Sequence, residues 1–371
     1  MSFLKAEPSV FVIGDSYELL FCLSDFGLLS LSVGGELYYE ENAGCLPSER
    51  TVCRIRVPQA ALDAAGSYEL VYRKTVERRA YFSLFGEEER MTFSFSPVPS
   101  EGAINLYFLA DVHYFFAAAE RTATYFGEEL QLLVAAGDLG EVETEENYLE
   151  VAALLGRITH GRIPIVMVRG NHDTRGRLSE RYCDFFPANG KDTYYTFTLG
   201  ALSGVVLDCG EDKPDDFCPT GEGYDGSPVY NGTNIFEAFR RRESEFLRRV
   251  HLPEGRPRLA ISHVCPSMTA MEAGSIFDIE RELYGEWNRE LSRIGIDVML
   301  TGHLHRLFTL DRNDPRALLP NPYPVIVGAK PITEESVVGT AITLYTDRLV
   351  YRFTDSDRAV LGEGEILFSH A

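Results

Sequence analysis

Ile163-Pro164-Ile165-Val166-Met167-Val168-Arg169-Gly170-Asn171-His172-Asp173 is an apolar run, broken by one proline, that stops at an arginine and a cluster of small and polar residues. Such a run reads as a buried strand feeding a tight loop. The amide, imidazole and carboxylate of Asn171, His172 and Asp173 are poor packing material and suit a site. Taken alone they are also ordinary turn chemistry, since Gly-Asn is a common turn pair and His172-Asp173 could be a surface pair. Short motifs match often by chance, so the rest of the chain decides between the readings.

Working outward from this strand, the texture is a strand–helix alternation. Residues 104–110 and 132–136 read as buried strands, and 115–130 as helical. In 141–158, Tyr148, Val151, Ala152, Leu155 and Ile158 fall on one helix face. Further on, the pattern predicts a hairpin over 193–197 and 204–207, a charged amphipathic helix over 234–250 and a strand over 258–262. A helix over 287–294, a strand over 296–301 and closing strands at 325–327, 341–345 and 349–353 complete it. This alternation predicts an α/β core with helices on both faces.

Residues 1–100 differ. Short, partly alternating strands recur near 10–13, 17–23, 27–33, 50–57, 68–73, 80–85 and 91–95. Hairpin turns are expected at Gly34-Gly35 and Gly86-Glu87. This predicts a small all-β, sandwich-like N-terminal domain over 1–100, joined by Ser96-Pro97-Val98-Pro99-Ser100 to a second domain over 101–371. Residues 211–233, rich in Gly, Pro and acids, form a long loop of the kind that is usually functional or disordered.

In open α/β sheets, ligands gather beyond the carboxyl ends of the strands. Here those ends deliver Asp111 and His113, then Asp138, then Asn171, His172 and Asp173, then His263, and finally His303 and His305. The chain has 8 histidines, and only His160, His251 and His370 lie elsewhere; these read as surface residues. In extended backbone, residues i and i+2 face one side, so Asp111/His113 and His303/His305 can each converge on one centre. Mixed imidazole, carboxylate and amide donors suit Mn, Fe or Zn better than Ca.

In order, the blocks read Asp111-x-His113, Gly137-Asp138, Gly170-Asn171-His172-Asp173, His263 and Gly302-His303-x-His305. The set resembles the calcineurin-like metallophosphoesterases over roughly residues 104–328. The resemblance implies a metallophosphoesterase-like β-sandwich core flanked by helices and two divalent or mixed-valence metal ions (Mn, Fe or Zn). One ion would be held by Asp111, His113, Asp138 and His305. The other would be held by Asn171, His263, His303 and the bridging Asp138. His172 would face the substrate, with Asp173 orienting its ring. The implied activity is hydrolysis of a phosphomonoester or phosphodiester by a metal-bridging hydroxide, with the ions about 3.5–4 Å apart. Two divalent cations against two aspartates and a hydroxide leave a locally positive site for phosphate. Many relatives read GDxxD where this chain has Glu141. Purple acid phosphatases have an iron-ligating tyrosine at that place, and its absence argues against a ferric tyrosinate site. The alternative is a non-catalytic metal-binding or scaffold protein that keeps the fold.

A net charge of −21 disfavours nucleic-acid polyanions and anionic membranes as partners, leaving a small phosphoester as the expected substrate. The 7 cysteines form no CxxC pair and read as free thiols. With no leader-like apolar segment and no membrane-length apolar run, the expected setting is cytoplasmic. Asp208-Cys209 reads as structural, with substrate-side contact as the alternative, and Arg169 as an ion-pair or phosphate-contact residue. Arg240, Arg241, Arg242, Arg248 and Arg249 read as a solvated basic helix face, and Tyr224 and Tyr230 as candidate substrate contacts. The choice of substrate is expected to lie in loops 211–233 and 264–286.

Overall fold

The computed structural model describes residues 3–217 and 232–368; Cys218, Tyr224, Tyr230 and His370 lie outside them. Strand Leu132–Ala136 shows how the layers arise. Leu132, Val134 and Ala136 point into one apolar cluster, and Leu133 and Ala135 into another. A strand with a two-residue side-chain period must be covered on both faces when every residue is apolar.

Two sheets result. In the larger, the strand order is Val360–Leu367, Arg348–Thr354, Ser336–Leu344, Ile104–Leu109, Leu132–Ala136, Pro164–Val168, Ser9–Ile13, Ser16–Cys22 and Val52–Pro58, with Lys330–Thr333 paired to Ser336–Leu344. Its middle, from Ile104–Leu109 to Ser9–Ile13, is parallel. The smaller sheet runs Tyr195–Leu199, Leu202–Leu207, Arg258–Ser262, Val298–Thr301, Val325–Gly328 and Leu307–Leu310. Phe108, Val134 and Val166 of the first face Val206, Ile261 and Leu300 of the second. Helices Phe116–Ala123 and Glu145–Thr159 cover the outside of the first sheet. Helices Phe236–Leu247 and Arg281–Ile294 cover the outside of the second. The fold is a mixed α/β sandwich of two sheets between helices, the metallophosphoesterase arrangement.

Helix Glu145–Thr159 illustrates the local causes. Thr144 caps it: its hydroxyl accepts from Asn147 N–H, and the Asn147 amide oxygen accepts from Thr144 N–H. Glu145 and Glu146 favour the positive end of the dipole, and His160 closes the helix in the left-handed region. The expected apolar face, from Tyr148 to Ile158, is buried, and each large side chain there contributes about 1.5–3 kcal/mol.

The N-terminal region is all-β but for one short helix, Gln59–Ala65. Helical periodicity could not reveal so brief an element, though Pro58 before it and Gly66 after it are start and stop residues. Gly27–Val33, Glu36–Tyr38, Ser67–Glu77 and Leu84–Ser94 form a four-stranded sheet, with Gly34-Gly35 at its first turn as expected. Gly86, expected in a turn, lies inside strand Leu84–Ser94; the chain turns instead between Glu77 and Leu84. Ser9–Ile13 pairs in parallel with Pro164–Val168, so the large sheet runs continuously from the N-terminal region into the core. Among the described residues, Cys22, Cys45, Cys53, Cys183, Cys209 and Cys265 are free thiols. No described helix is long and apolar enough to cross a membrane.

Candidate metal centre

The carboxyl ends of both sheets open on the same side of the sandwich. The large sheet delivers Asp111, His113, Asp138, Asn171, His172 and Asp173, and the small sheet delivers His263, His303 and His305. The seven expected ligands come together. His305 Nε2 lies 3.3 Å from Asp111 Oδ1 and 3.1 Å from His113 Nε2. His263 Nε2 lies 3.1 Å from Asp138 Oδ2 and 3.1 Å from Asn171 Oδ1. That amide oxygen is also 3.1 Å from His303 Nδ1. Within each of the sets Asp111/His113/His305, His113/Asp138/His172 and Asp111/Asp138/His263, the donor atoms lie within 4.8 Å of one another. Asp111, His113 and Asp138 each belong to two of these sets. Nitrogen and oxygen donors at this density fit divalent metal cations.

The backbone shows how close ligands converge. Asp111, His113, Asp138, His303 and His305 all have positive φ, from 45° to 67°. The extended i, i+2 geometry expected for Asp111/His113 and His303/His305 is therefore not how they converge; tight left-handed turns swing each pair inward. Strained backbone concentrated at one place marks a site that the surrounding fold over-determines. Glycine makes room for the carboxylates. A Cβ on Gly170 would lie 2.1 Å from Asp138 Oδ1, and one on Gly302 would lie 2.5 Å from Asp111 Oδ2.

Electrostatics separates the acids. Burial works against ionisation of Asp138, but His263, His172 and His113 overcome it and hold the carboxyl well below its ordinary range. Asp173, buried and facing that charge, is pushed up to about 7. His263 is buried too, yet Asp138 and Asp111 push it up to about 10. Its Nδ1 lies 2.7 Å from the Ala136 carbonyl oxygen, which leaves Nε2 facing the cluster. Burial and the neighbouring His263 push His303 down to about 4.

Two expectations need correction. Asp173 was expected to orient the His172 ring. Its carboxylate instead accepts the backbone N–H of Gly170 at 2.8 Å and of Asp138 at 3.1 Å, tying two ligand-bearing loops together. A short side chain turned toward these N–H groups braces the loops. The group beside the His172 ring is Arg175, with Nη1 3.4 Å from Nε2. His172 itself faces the cleft, its Nε2 4.0 Å from Asp138 Oδ2. Arg240, expected on a solvated face, is fully buried and donates to the Cys209 and Glu211 carbonyls, fixing the start of the acidic loop. Arg169 pairs with the buried Asp208 at 2.8 Å, which makes both structural. Glu141 is exposed.

Residues that sequence patterns did not single out support the centre. Asp212 Oδ2 accepts from Asn171 Nδ2 at 3.0 Å and so turns the amide oxygen toward His263 and His303. Arg175 and Lys213 both pair with Asp212 and with Glu211, which is fully buried. The signal was present in Glu211-Asp212-Lys213, which composition alone reads as loop. Beside the centre lies a cleft of about 440 Å³, lined by Asp138, Asn171, His172, His303 and His305 on one side and by residues 269–277 on another.

The sequence model of the calcineurin-like phosphoesterase family matches residues 104–307, more than half the chain, and the chain belongs to this family. Among solved structures, a purple acid phosphatase, PPD1, from yellow lupin (Lupinus luteus) seeds is similar over 97% of this chain and 74% of its own, with a TM-score of 0.59 and 11% identity. PhoD is similar over 99% of this chain and 89% of its own, with a TM-score of 0.56 and 11% identity. At such identities the likeness is one of fold. No curated protein matches the chain. Family membership makes the strand-end cluster a candidate metal site for phosphoester hydrolysis.

Proposed function

We propose that the chain hydrolyses phosphoesters with two divalent metal ions, one held by Asp111, His113, Asp138 and His305 and the other by Asp138, Asn171, His263 and His303. The observation that supports this reading is the cluster of closely spaced donors from Asp111, His113, Asp138, His263 and His305, beside a cleft that His172 lines. Ions held there would supply Lewis acidity at the phosphoryl oxygens and a nucleophilic water. The residues of the chain do the rest. Asp138, ionised by its histidine neighbours, would be the ligand common to both ions. The His263 ring is held through Nδ1 by the Ala136 carbonyl, which leaves Nε2 toward the cluster. Asp173 locks the loops that carry Asp138 and Asn171. Burial holds His172 below its ordinary pKa despite Asp138. The half-exposed ring stands where it can exchange a proton or a hydrogen bond with the departing oxygen.

The test is metal titration followed by turnover. Metal-free protein should take up two Mn²⁺ per chain and then cleave an aryl phosphoester, and chelation should abolish the activity. Asp138→Asn should lose metal. His172→Ala should keep both ions and lose about 10²–10⁴-fold in turnover. A chain that binds two ions yet cleaves no member of a broad ester panel would refute hydrolysis and favour a binding role.

A further inference from the structure

The cleft beside the donor cluster is asymmetric. Besides His172, His303, His305, Asp138 and Asn171, its lining includes the apolar Ala270, Met271, Phe277 and Leu304. The Phe277 ring lies 6.5 Å from the His303 ring, nearly edge-on at 77°, so its apolar surface begins where the metal ligands end. Met271 is 49% exposed. This wall is anchored. Met268 N–H donates to the Cys265 carbonyl at 3.0 Å, and Asp278 accepts from Gly274 N–H at 2.7 Å and from Arg281 at 3.0 Å. The segment that follows His263 is thus held in place by its own turns and by the helix after it.

Charge is distributed as unevenly as polarity. None of the described residues lining the cleft is Lys or Arg, whereas Asp212 and Glu272 are among them. The nearest cations are committed: Lys213 Nζ, 5.0 Å from the centre of the Phe277 ring, lies 2.5 Å from Asp212, and Arg175, 3.4 Å from His172 Nε2, lies 2.7 Å from Asp212. From Pro214 to Phe239 the sequence contains no Lys or Arg, so the rest of that loop brings none either. A second phosphate or a carboxylate on the substrate would meet acids and apolar carbon, and would have to compete with Asp212 for Lys213 and Arg175 to offset its desolvation.

We infer that the substrate is a phosphoester with a single phosphate and an uncharged, apolar or aromatic ester group that packs on Phe277, Met271, Ala270 and Leu304. The inference rests on the phosphoesterase reading and narrows it. Phe277 offers a ring for stacked or edge contact, and Met271 an adaptable side chain at the rim.

Binding to the Mn²⁺-loaded protein, measured by calorimetry with non-hydrolysable phosphonates, tests it apart from turnover. Phenylphosphonate should bind about tenfold more tightly than methylphosphonate, the gain expected from burying most of one ring after losses in freedom. 2-Carboxyethylphosphonate should bind more weakly than methylphosphonate. Phe277→Ala should erase the phenyl preference while leaving methylphosphonate, too short to reach the wall, unchanged. Met271→Ala, at an exposed position where folding is not at stake, should reduce that preference. Equal affinities for phenyl and methyl, or a preference for the carboxylate, would overturn the inference and leave the phosphoesterase reading standing. Failure of every phosphonate to bind the metal-loaded protein would overturn both.

Discussion

Asp212→Ala is the most informative perturbation outside the ligand set. In the folded protein Asp212 is 6% exposed and accepts one hydrogen bond from Asn171 Nδ2 at 3.0 Å. That bond fixes which end of the amide faces His263 and His303. With alanine there, the Asn171 amide can rotate and present its N–H₂, which cannot ligate a cation. A hydrogen bond to a charged group contributes about 1.5–3 kcal/mol, and loss of such a support for a ligand typically costs about 10–100-fold in metal affinity. The loss should fall on the ion proposed for Asn171, His263 and His303, leaving the one proposed for His113 and His305 close to its original affinity. Calorimetric titration of metal-free protein with Mn²⁺ would resolve the two events. Asp212→Asn keeps an oxygen acceptor for Asn171 while removing the charge that Arg175 and Lys213 share with Glu211, so it should restore most of the affinity. Two unchanged binding events in Asp212→Ala would refute the reasoning, as would an equal loss at both sites.

Gly170→Ala places a Cβ 2.1 Å from Asp138 Oδ1 and 2.6 Å from its backbone nitrogen. Relief requires a shift of roughly an ångström at Asp138, the proposed shared ligand, so turnover should fall about 10²-fold while the circular dichroism spectrum stays native. Glu243→Gln probes pH. Glu243 is fully buried, and burial, with Asp208 nearby, raises its pKa well above the ordinary value. Between about pH 4.3, where the unfolded carboxyl titrates, and the raised folded pKa, the folded state binds more protons than the unfolded one. Stability from this group is therefore present at low pH and lost as pH rises through that window. Glu243→Gln should flatten the fall in urea midpoint on the alkaline side; an unchanged pH profile would count against a protonated Glu243.

Much of the core was legible because its strands are short, wholly apolar and punctuated by glycine and polar clusters. Strands Leu132–Ala136 and Arg258–Ser262 appear with the bounds their hydropathy suggests. The seven metal-capable residues were legible for a related reason: they follow strand ends directly, so position in sequence predicts position in space. What sequence could not show was conformation and long-range partnership. The left-handed turns at Asp111, His113, His303 and His305 leave no mark in residue type. The direction of the Asp173 carboxylate depends on the approach of Gly137-Asp138, 35 residues away in one contact. Asp212 reaches Asn171 across 41 residues, and the burial of Arg240 depends on carbonyls 29 and 31 residues before it. Composition sees such residues as loop or surface because their partners are set by tertiary packing.

The parallel pairing of Ser9–Ile13 with Pro164–Val168 bears on how the chain can be dissected. Residues 104–307, the stretch that family resemblance isolates, would keep from the large sheet only Ile104–Leu109, Leu132–Ala136 and Pro164–Val168. Both flanks would be stripped, by loss of Ser9–Ile13 on one side and Ser336–Leu344 on the other. The exposed margins would be rows of unpaired amides carrying apolar side chains, the geometry that recruits other chains and aggregates. An expression boundary drawn at the proline-rich 96–100 would cut through a continuous hydrogen-bonded fabric. The unit to preserve in any minimal version is the one that keeps the strand leading to Asn171 and His172 paired on both edges.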